Sequence, residues 1–164
     1  MVVFYIDTSV MVKRYMEEPG TEFADILFDN VLVSKNHSMA TSVLGMVEFI
    51  ATIRRARKGN VIEDLDMHNI IHHFSKEMEK MNLLSLDEKT LANSIEVIMD
   101  HSLRTADALH LSSALELKKM MTKVGKRFFL VTNDKEMIDA AKSSEMNVLM
   151  PDENGILELN ALFG

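Results

Sequence analysis

The sequence of 164 residues contains no cysteine and no tryptophan, and it has only two prolines and six glycines. Without cysteine, the protein has no disulfide framework, no thiolate zinc site, no iron–sulfur cluster and no cysteine nucleophile. Metal chemistry is therefore left to oxygen and imidazole ligands. Because so few prolines and glycines leave no linker or low-complexity tract, we expect a single domain over residues 1–164.

The sequence also lacks an excess of positive charge and any long apolar run. Asp and Glu number 25 against 18 Lys and Arg, which gives a formal net charge of −7 at pH 7. This balance argues against a protein that coats nucleic acid through bulk charge, because backbone affinity comes from cations that neutralise phosphates. No apolar segment approaches the roughly 18 residues of a membrane span. The apolar start Val2–Ile6 has no preceding basic region and ends at Asp7, so we expect a cytoplasmic protein with no membrane partner.

Apolar periodicity predicts strands that alternate with helices along the chain. The predicted strands are Val2–Ile6, Met39–Val43, Leu83–Leu86, Phe128–Val131 and Val148–Met150. The predicted helices end near Met16, Phe28, Lys58, Met81, His101, Met120 and Ser144. No element is predicted after Pro151. This alternation predicts an α/β sandwich with a mainly parallel sheet.

Four acidic residues occupy positions where a carboxylate can carry chemistry. Asp7 and Asp134 follow predicted strands, and the carboxyl ends of parallel strands share one edge, where such folds bind ligands. Asp107 lies in the first turn of a predicted helix, two residues after its expected cap, Thr105. Glu48 interrupts an apolar segment, where a lone ionised carboxylate is costly unless a cation compensates it.

Each of these acids also has an ordinary structural explanation. A turn former, a first-turn helix acid and a residue at the edge of a buried face would account for them one by one. If they converge in one pocket, however, their charges repel and raise one another's pKa unless a cation is present. A hard divalent ion with oxygen ligands meets that need, so the set predicts Mg²⁺ or Mn²⁺.

Four short segments resemble the signature segments of PIN domains, in the family's order and over Val2 to about Val148. They are Asp7-Thr8-Ser9, Glu48 within its apolar helix, Leu103–Leu111, and Val131-Thr132-Asn133-Asp134. The sequence is most similar to the small VapC-like toxins of prokaryotic toxin–antitoxin pairs. The resemblance implies a PIN-like three-layer α/β/α sandwich and a Mg²⁺- or Mn²⁺-dependent endoribonuclease that hydrolyses RNA phosphodiester bonds.

The resemblance also implies roles for residues of these segments. Asp7 and Asp107 would be the main metal ligands, direct or through water. Glu48 and Asp134 would complete the catalytic site, through waters or as ligands of a second ion. A bound ion would acidify a water molecule and stabilise charge on the scissile phosphate. The polar neighbours expected to orient the carboxylates or the water are Thr8, Ser9 and Thr132. Ser9 equally fits the cap of the first helix.

Basic residues near these segments are candidates for RNA contacts. Arg104 is the best of them, because it precedes Asp107 by only three residues. Lys13 and Arg14 lie in the first predicted helix. The run Arg54–Lys58 fits a phosphate-binding patch and the cationic end of a helix equally well. His110 is expected at the edge of the core, without duty as a general base.

The resemblance implies three partners: an RNA substrate, a small antitoxin protein and a second copy of the chain in a homodimer. Two other functions are weighed against it. A phosphotransferase would use Asp7 as a covalent nucleophile, but haloacid-dehalogenase-like enzymes carry a second aspartate two residues on, where this chain has Ser9. A catalytically inactive PIN-fold binding module would act through protein or RNA partners, and the retention of all four acids argues against it.

Overall fold

The computed structural model describes all residues from Met1 to Gly164 as five strands and eight helices. The strands are β1 (Val2–Ile6), β2 (His37–Ser42), β3 (Asn82–Leu84), β4 (Arg127–Val131) and β5 (Val148–Leu149). The helices are α1 (Thr8–Tyr15), α2 (Thr21–Val31), α3 (Val43–Lys58), α4 (Asp64–Met78), α5 (Glu88–His101), α6 (Thr105–Lys123), α7 (Lys135–Ser143) and α8 (Glu153–Phe163). None of the helices has both the length and the apolar character needed to cross a bilayer.

The five strands form one sheet in the order β3-β2-β1-β4-β5, and every pair of neighbours is parallel. The central strand β1 therefore lies between β2 and β4. The backbone N–H of Asp7 donates to the carbonyl of Val131 at 3.0 Å, so the carboxyl ends of β1 and β4 meet side by side. In parallel sheets, this is the edge where ligands bind. The predicted α/β class and parallel sheet are confirmed.

Alternate side chains of β1 enter two separate hydrophobic cores. Val2, Phe4 and Ile6 pack with residues of α1 to α4 and α8 on one face of the sheet. Val3 and Tyr5 pack with residues of α5, α6 and α7 on the other face. All five side chains are buried, as expected for a strand covered by helices on both sides. This arrangement confirms the three-layer α/β/α sandwich.

Some predicted boundaries are wrong by a few residues. Strand β2 begins at His37 and ends at Ser42, whose hydroxyl oxygen accepts from Gly45 N and caps α3. Helix α4 begins only at Asp64. Arg104, and not Thr105, occupies the N-cap position of α6, because the threonine already belongs to the first helical turn.

Helix α8 lies beyond the last predicted element. Asp152 caps it by accepting a hydrogen bond from the backbone N–H of Gly155 at 2.8 Å. Leu159 is fully buried and packs in the same core as Phe23 of α2. The pair Asn154-Gly155 has the composition of a turn, so local pattern conceals a helix that is stabilised by docking on α2.

Candidate metal centre

Four acidic side chains lie together at the edge where β1 and β4 end. Asp7 directly follows β1 and is the N-cap of α1. Asp134 follows β4 and caps α7, as the sequence predicted. Asp107 lies in the first turn of α6, and the negative charges of Asp7 and Asp134 both act to raise its pKa. Glu48 comes from α3, and its Oε2 shares the neighbour His110 Nε2 with Asp7 Oδ1, at 2.8 and 3.9 Å.

Asp7 is buried and held by two hydroxyl groups. Its Oδ2 accepts hydrogen bonds from Ser9 Oγ at 2.6 Å and from Thr132 Oγ1 at 3.0 Å. The Thr132 hydroxyl oxygen in turn accepts from the backbone N–H of Asp134 at 3.1 Å. These contacts fit the orienting role proposed for Ser9 and Thr132. They leave Oδ1 of Asp7 without an intramolecular hydrogen bond.

Glu48 is stabilised in its apolar helix by two donors. Its Oε2 accepts from Thr8 Oγ1 and from His110 Nε2, both at 2.8 Å. The hydrogen bond from His110, followed by that from Thr8, lowers the pKa of Glu48. Glu48 is therefore ionised near neutral pH, and the donors compensate a charge that would be costly in an apolar segment.

The expectation that His110 lies at the edge of the core is wrong. Its side chain is 1% exposed, and its Nε2 lies 3.9 Å from Asp7 Oδ1. Its Nδ1 lies 2.9 Å from the hydroxyl of Tyr5. Burial lowers the pKa of His110, but the hydrogen bond to Glu48 and the charge of Asp7 outweigh that effect and raise it. The spacing in the sequence could have predicted this position, because His110 lies one helical turn after Asp107 and therefore on the same face of α6.

Arg104 bridges two of the acids. Its Nε donates to Asp107 Oδ2 at 2.9 Å, and its Nη2 lies 3.6 Å from Asp134 Oδ2. Burial raises the pKa of Asp107, and Arg104 opposes that rise. The Arg104 side chain is 76% exposed, so it can leave the acids without disturbing the core.

The donor set suits a hard divalent ion, although no three His, Asp or Glu side chains are already grouped as an ion site. In each of three carboxylates, one oxygen accepts an intramolecular hydrogen bond and the other accepts none: Asp7 Oδ1, Glu48 Oε1 and Asp107 Oδ1. Asp134 uses Oδ1 to cap α7 and has only Arg104 near Oδ2. Free carboxylate oxygens at one edge of the sheet are the kind of ligand that Mg²⁺ and Mn²⁺ prefer.

The other two basic candidates are paired inside the protein. Lys13 is 6% exposed and its Nζ donates to Glu18 at 3.0 Å. Arg14 donates to three carboxylates, those of Asp25, Asp29 and Glu77. Arg104 is also ion-paired, but its side chain is 76% exposed, whereas those of Lys13 and Arg14 are 7% and 18% exposed. Arg104 is therefore the candidate RNA contact that we retain.

Asp107 provides a prediction about stability. Burial raises the pKa of Asp107 in the folded protein. The stabilisation that its protonated carboxyl contributes is therefore complete below the ordinary pKa of an aspartate, and it is lost as the pH rises through the pKa of the folded state. In the presence of a chelator, we expect Asp107→Asn to melt at a higher temperature than wild type at pH 7. Thermal melts should show this difference shrinking as the pH falls below about 4. The exposed Asp139→Asn is the control, and an equal gain there would contradict the prediction.

Several solved structures share this fold. VapBC2 from Rickettsia felis, bound to a DNA fragment from its promoter, has a TM-score of 0.62 at 13% identity, over 90% of this chain and 98% of that one. PAE2754 from Pyrobaculum aerophilum has a TM-score of 0.63 at 18% identity, over 98% of this chain and 96% of that one. A toxin–antitoxin complex from Klebsiella pneumoniae has a TM-score of 0.59 at 13% identity, over 91% of this chain and 98% of that one. At such low identity these likenesses show the shared fold.

Sequence comparison identifies the family. No curated protein matches the sequence significantly. The family model of the PIN domain, by contrast, matches residues 4–143. That span contains all four acids and the strands that bring them together. The chain, with its parallel sheet and its acidic edge, therefore belongs to the PIN domain family.

Proposed function

We propose that this PIN domain is a Mg²⁺- or Mn²⁺-dependent endoribonuclease and the toxin of a toxin–antitoxin pair. The observation that carries the proposal is the convergence of four carboxylates, three of which keep an oxygen free of intramolecular hydrogen bonds. PIN domains are generally nucleases, and VapBC proteins share this fold. The competing hypothesis of an inactive binding module does not account for four acids held in one place.

In the proposed reaction, Asp7 and Asp107 would be the main ligands of the divalent ion, and Glu48 and Asp134 would complete the site through waters or as ligands of a second ion. When bound, the ion supplies Lewis-acid chemistry, because it acidifies water and offsets charge on the phosphate. The chain contributes orientation: hydroxyl groups fix one oxygen of Asp7 and one of Glu48. Because water is the nucleophile, the products should carry 5′-phosphate and 3′-hydroxyl ends.

An open hollow beside the acids suits an RNA strand. It has a volume of about 620 Å³ and no hydrophobic lining residue. Its wall carries two positive charges, from Arg104 and Lys135, and two carboxylates, from Asp134 of the acidic cluster and Glu136. Cationic side chains around a polar groove position a nucleic-acid backbone by contacting phosphates. We infer that Arg104 turns from the acids to a phosphate when RNA binds.

The direct test is cleavage of single-stranded RNA by the purified chain with Mg²⁺, with Mn²⁺ and with a chelator. The proposal expects cleavage that requires the ion and yields 5′-phosphate ends, as read by ligation or mass spectrometry. Products ending in a 2′,3′-cyclic phosphate would contradict it, since that chemistry uses the ribose hydroxyl as nucleophile. Wild-type protein that is free of partners and does not cleave any RNA would favour the binding module.

The proposed partners are a small antitoxin and a second copy of the chain. The structures from Rickettsia felis and Klebsiella pneumoniae are named as VapBC and toxin–antitoxin complexes. An antitoxin that places a basic side chain among the acids would occupy the position that Arg104 holds here. Co-purification with the product of a neighbouring short reading frame, and the molar mass of the complex by light scattering, would test both partners.

Arg104 gives a prediction about ion binding. A divalent ion must displace Arg104 from Asp107 and Asp134, so its removal should favour the ion. Since exposed ion pairs contribute up to about 1 kcal/mol, we expect Arg104→Gln to bind Mn²⁺ about 2- to 5-fold more tightly in calorimetry without RNA. RNA affinity should fall in the same variant.

The matched control is Lys135→Gln, which removes a positive charge from the same hollow. It leaves the Arg104 bridge intact, so its Mn²⁺ affinity should stay close to that of wild type. Equal changes in the two variants would show that bulk charge, rather than competition for the acids, governs ion binding.

A further inference from the structure

One buried polar side chain of the acidic cluster has no part in the proposed function. We propose that His110 is a positioning residue, which fixes Oε2 of Glu48 together with Thr8 and so leaves Oε1 for the divalent ion. The inference rests on the proposed function, because it deepens the account of the same site. It is carried by the hydrogen bonds and burial of three residues that lie far apart in the chain.

The direction of the hydrogen bonds follows from the chemistry of the partners. An ionised carboxylate only accepts hydrogen bonds, so the proton between Glu48 and the imidazole belongs to Nε2 of His110. Nδ1, at the other side of the ring, pairs with the hydroxyl of Tyr5 at 2.9 Å. Tyr5 is fully buried in the central strand β1. The imidazole is therefore fixed at both nitrogens between the sheet and α3.

A glycine in α3 faces the imidazole of His110. Gly45 lies one turn before Glu48, and a Cβ there would lie 3.2 Å from His110 Cε1 and 2.6 Å from Thr41 Oγ1. A side chain at this position would crowd Thr41 most closely, and the imidazole would have to shift by a few tenths of an ångström. The absence of a side chain at Gly45 therefore lets α3 and the imidazole pack at the observed distance.

No side chain of α3 donates to Glu48 in the structure: both donors come from other helices, Thr8 from α1 and His110 from α6. The Glu48 side chain itself is 31% exposed and has several rotatable bonds. Without its two donors, Glu48 would be free to turn into solvent. Residues that orient ligands in this way change metal affinity or activity by about 10- to 100-fold when mutated.

Two amide substitutions of His110 that differ in length can distinguish a role in positioning Glu48 from a role in packing alone. In His110→Gln the amide nitrogen can reach the position of Nε2, so the donor to Glu48 is kept. In His110→Asn the amide is one bond shorter and reaches only the position of Nδ1. By calorimetry, we expect His110→Asn to bind Mn²⁺ about 10-fold more weakly than wild type, and His110→Gln to recover most of that loss. Thr8→Val, which removes the other donor, provides a second variant if the histidine variants fold poorly.

A double-mutant cycle with Glu48→Gln tests whether His110 acts through Glu48. The inference expects His110→Asn to lower Mn²⁺ affinity in the wild-type background and to have no further effect in Glu48→Gln. Equal losses in both backgrounds, or no rescue by glutamine in folded protein, would overturn it. Failure of wild-type protein to bind Mn²⁺ would instead overturn the proposed function, so the two failures are distinguishable.

Discussion

Asp7→Asn is expected to reduce metal-dependent RNA cleavage by about 10³-fold, the scale reported for the loss of one preorganised electrostatic group in an active site. Asparagine keeps an oxygen that can accept from Ser9 and Thr132, so the fold and the local hydrogen bonds should survive. What disappears is the negative charge that the divalent ion requires. Initial rates on a fluorescent RNA, at saturating Mg²⁺, measure the effect.

The matched control is Asp139→Asn, which removes one negative charge from an exposed position on α7. It should cleave RNA at the wild-type rate, since Asp139 is not one of the four acids. Undiminished cleavage by Asp7→Asn would refute the assignment of Asp7 as a metal ligand. A comparable loss in Asp139→Asn would show instead that net charge governs the rate.

Gly155→Ala is expected to cause the largest loss of stability, about 3 kcal/mol in the free energy of unfolding. A Cβ at this position would overlap the backbone carbonyl of Met150 and lie 2.8 Å from Phe23 Cε2. Backbone cannot move aside as a flexible side chain can, so α8 would have to shift off α2. For a protein of this length, the loss corresponds to a fall of about 6–12 °C in melting temperature.

Gly59→Ala provides the control for this prediction. Gly59 ends α3 with an ordinary negative φ, and the nearest atom to a Cβ there lies 3.4 Å away. Its free energy of unfolding, from urea denaturation, should stay within about 0.5 kcal/mol of wild type. If Gly155→Ala were equally mild, α8 would not be docked as closely as the structure shows.

Gly155 explains why the sequence did not predict α8. Gly155 follows Asn154, and this pair has the composition of a turn. In the folded protein, the missing side chain allows the first turn of the helix to pass beside Met150. A local pattern cannot distinguish a glycine that bends the chain from one that permits close packing, because the difference lies in a neighbour from another element.

Part of the candidate site follows from local sequence pattern. Asp7 and Asp134 follow buried apolar strands, and parallel strands necessarily end at one edge. Their proximity therefore follows from local pattern and fold class. Arg104 and Asp107 are three residues apart on one helical turn, so their ion pair is local as well. The ion pairs of Arg14 with Asp25 and Glu77 depend on the packing of α1 against α2 and α4, so no spacing in the sequence predicts them.

The sequence by itself determined the parallel α/β class, the alternation of elements, the resemblance to PIN domains and the four acids. These follow from periods of two and 3.6 residues and from short segments, which are properties of the local chain. Only the tertiary structure decided that His110 is buried between Tyr5 and Glu48, at separations of 105 and 62 residues. Those contacts depend on how α6 packs between β1 and α3, and packing of remote elements sets which buried polar groups find partners.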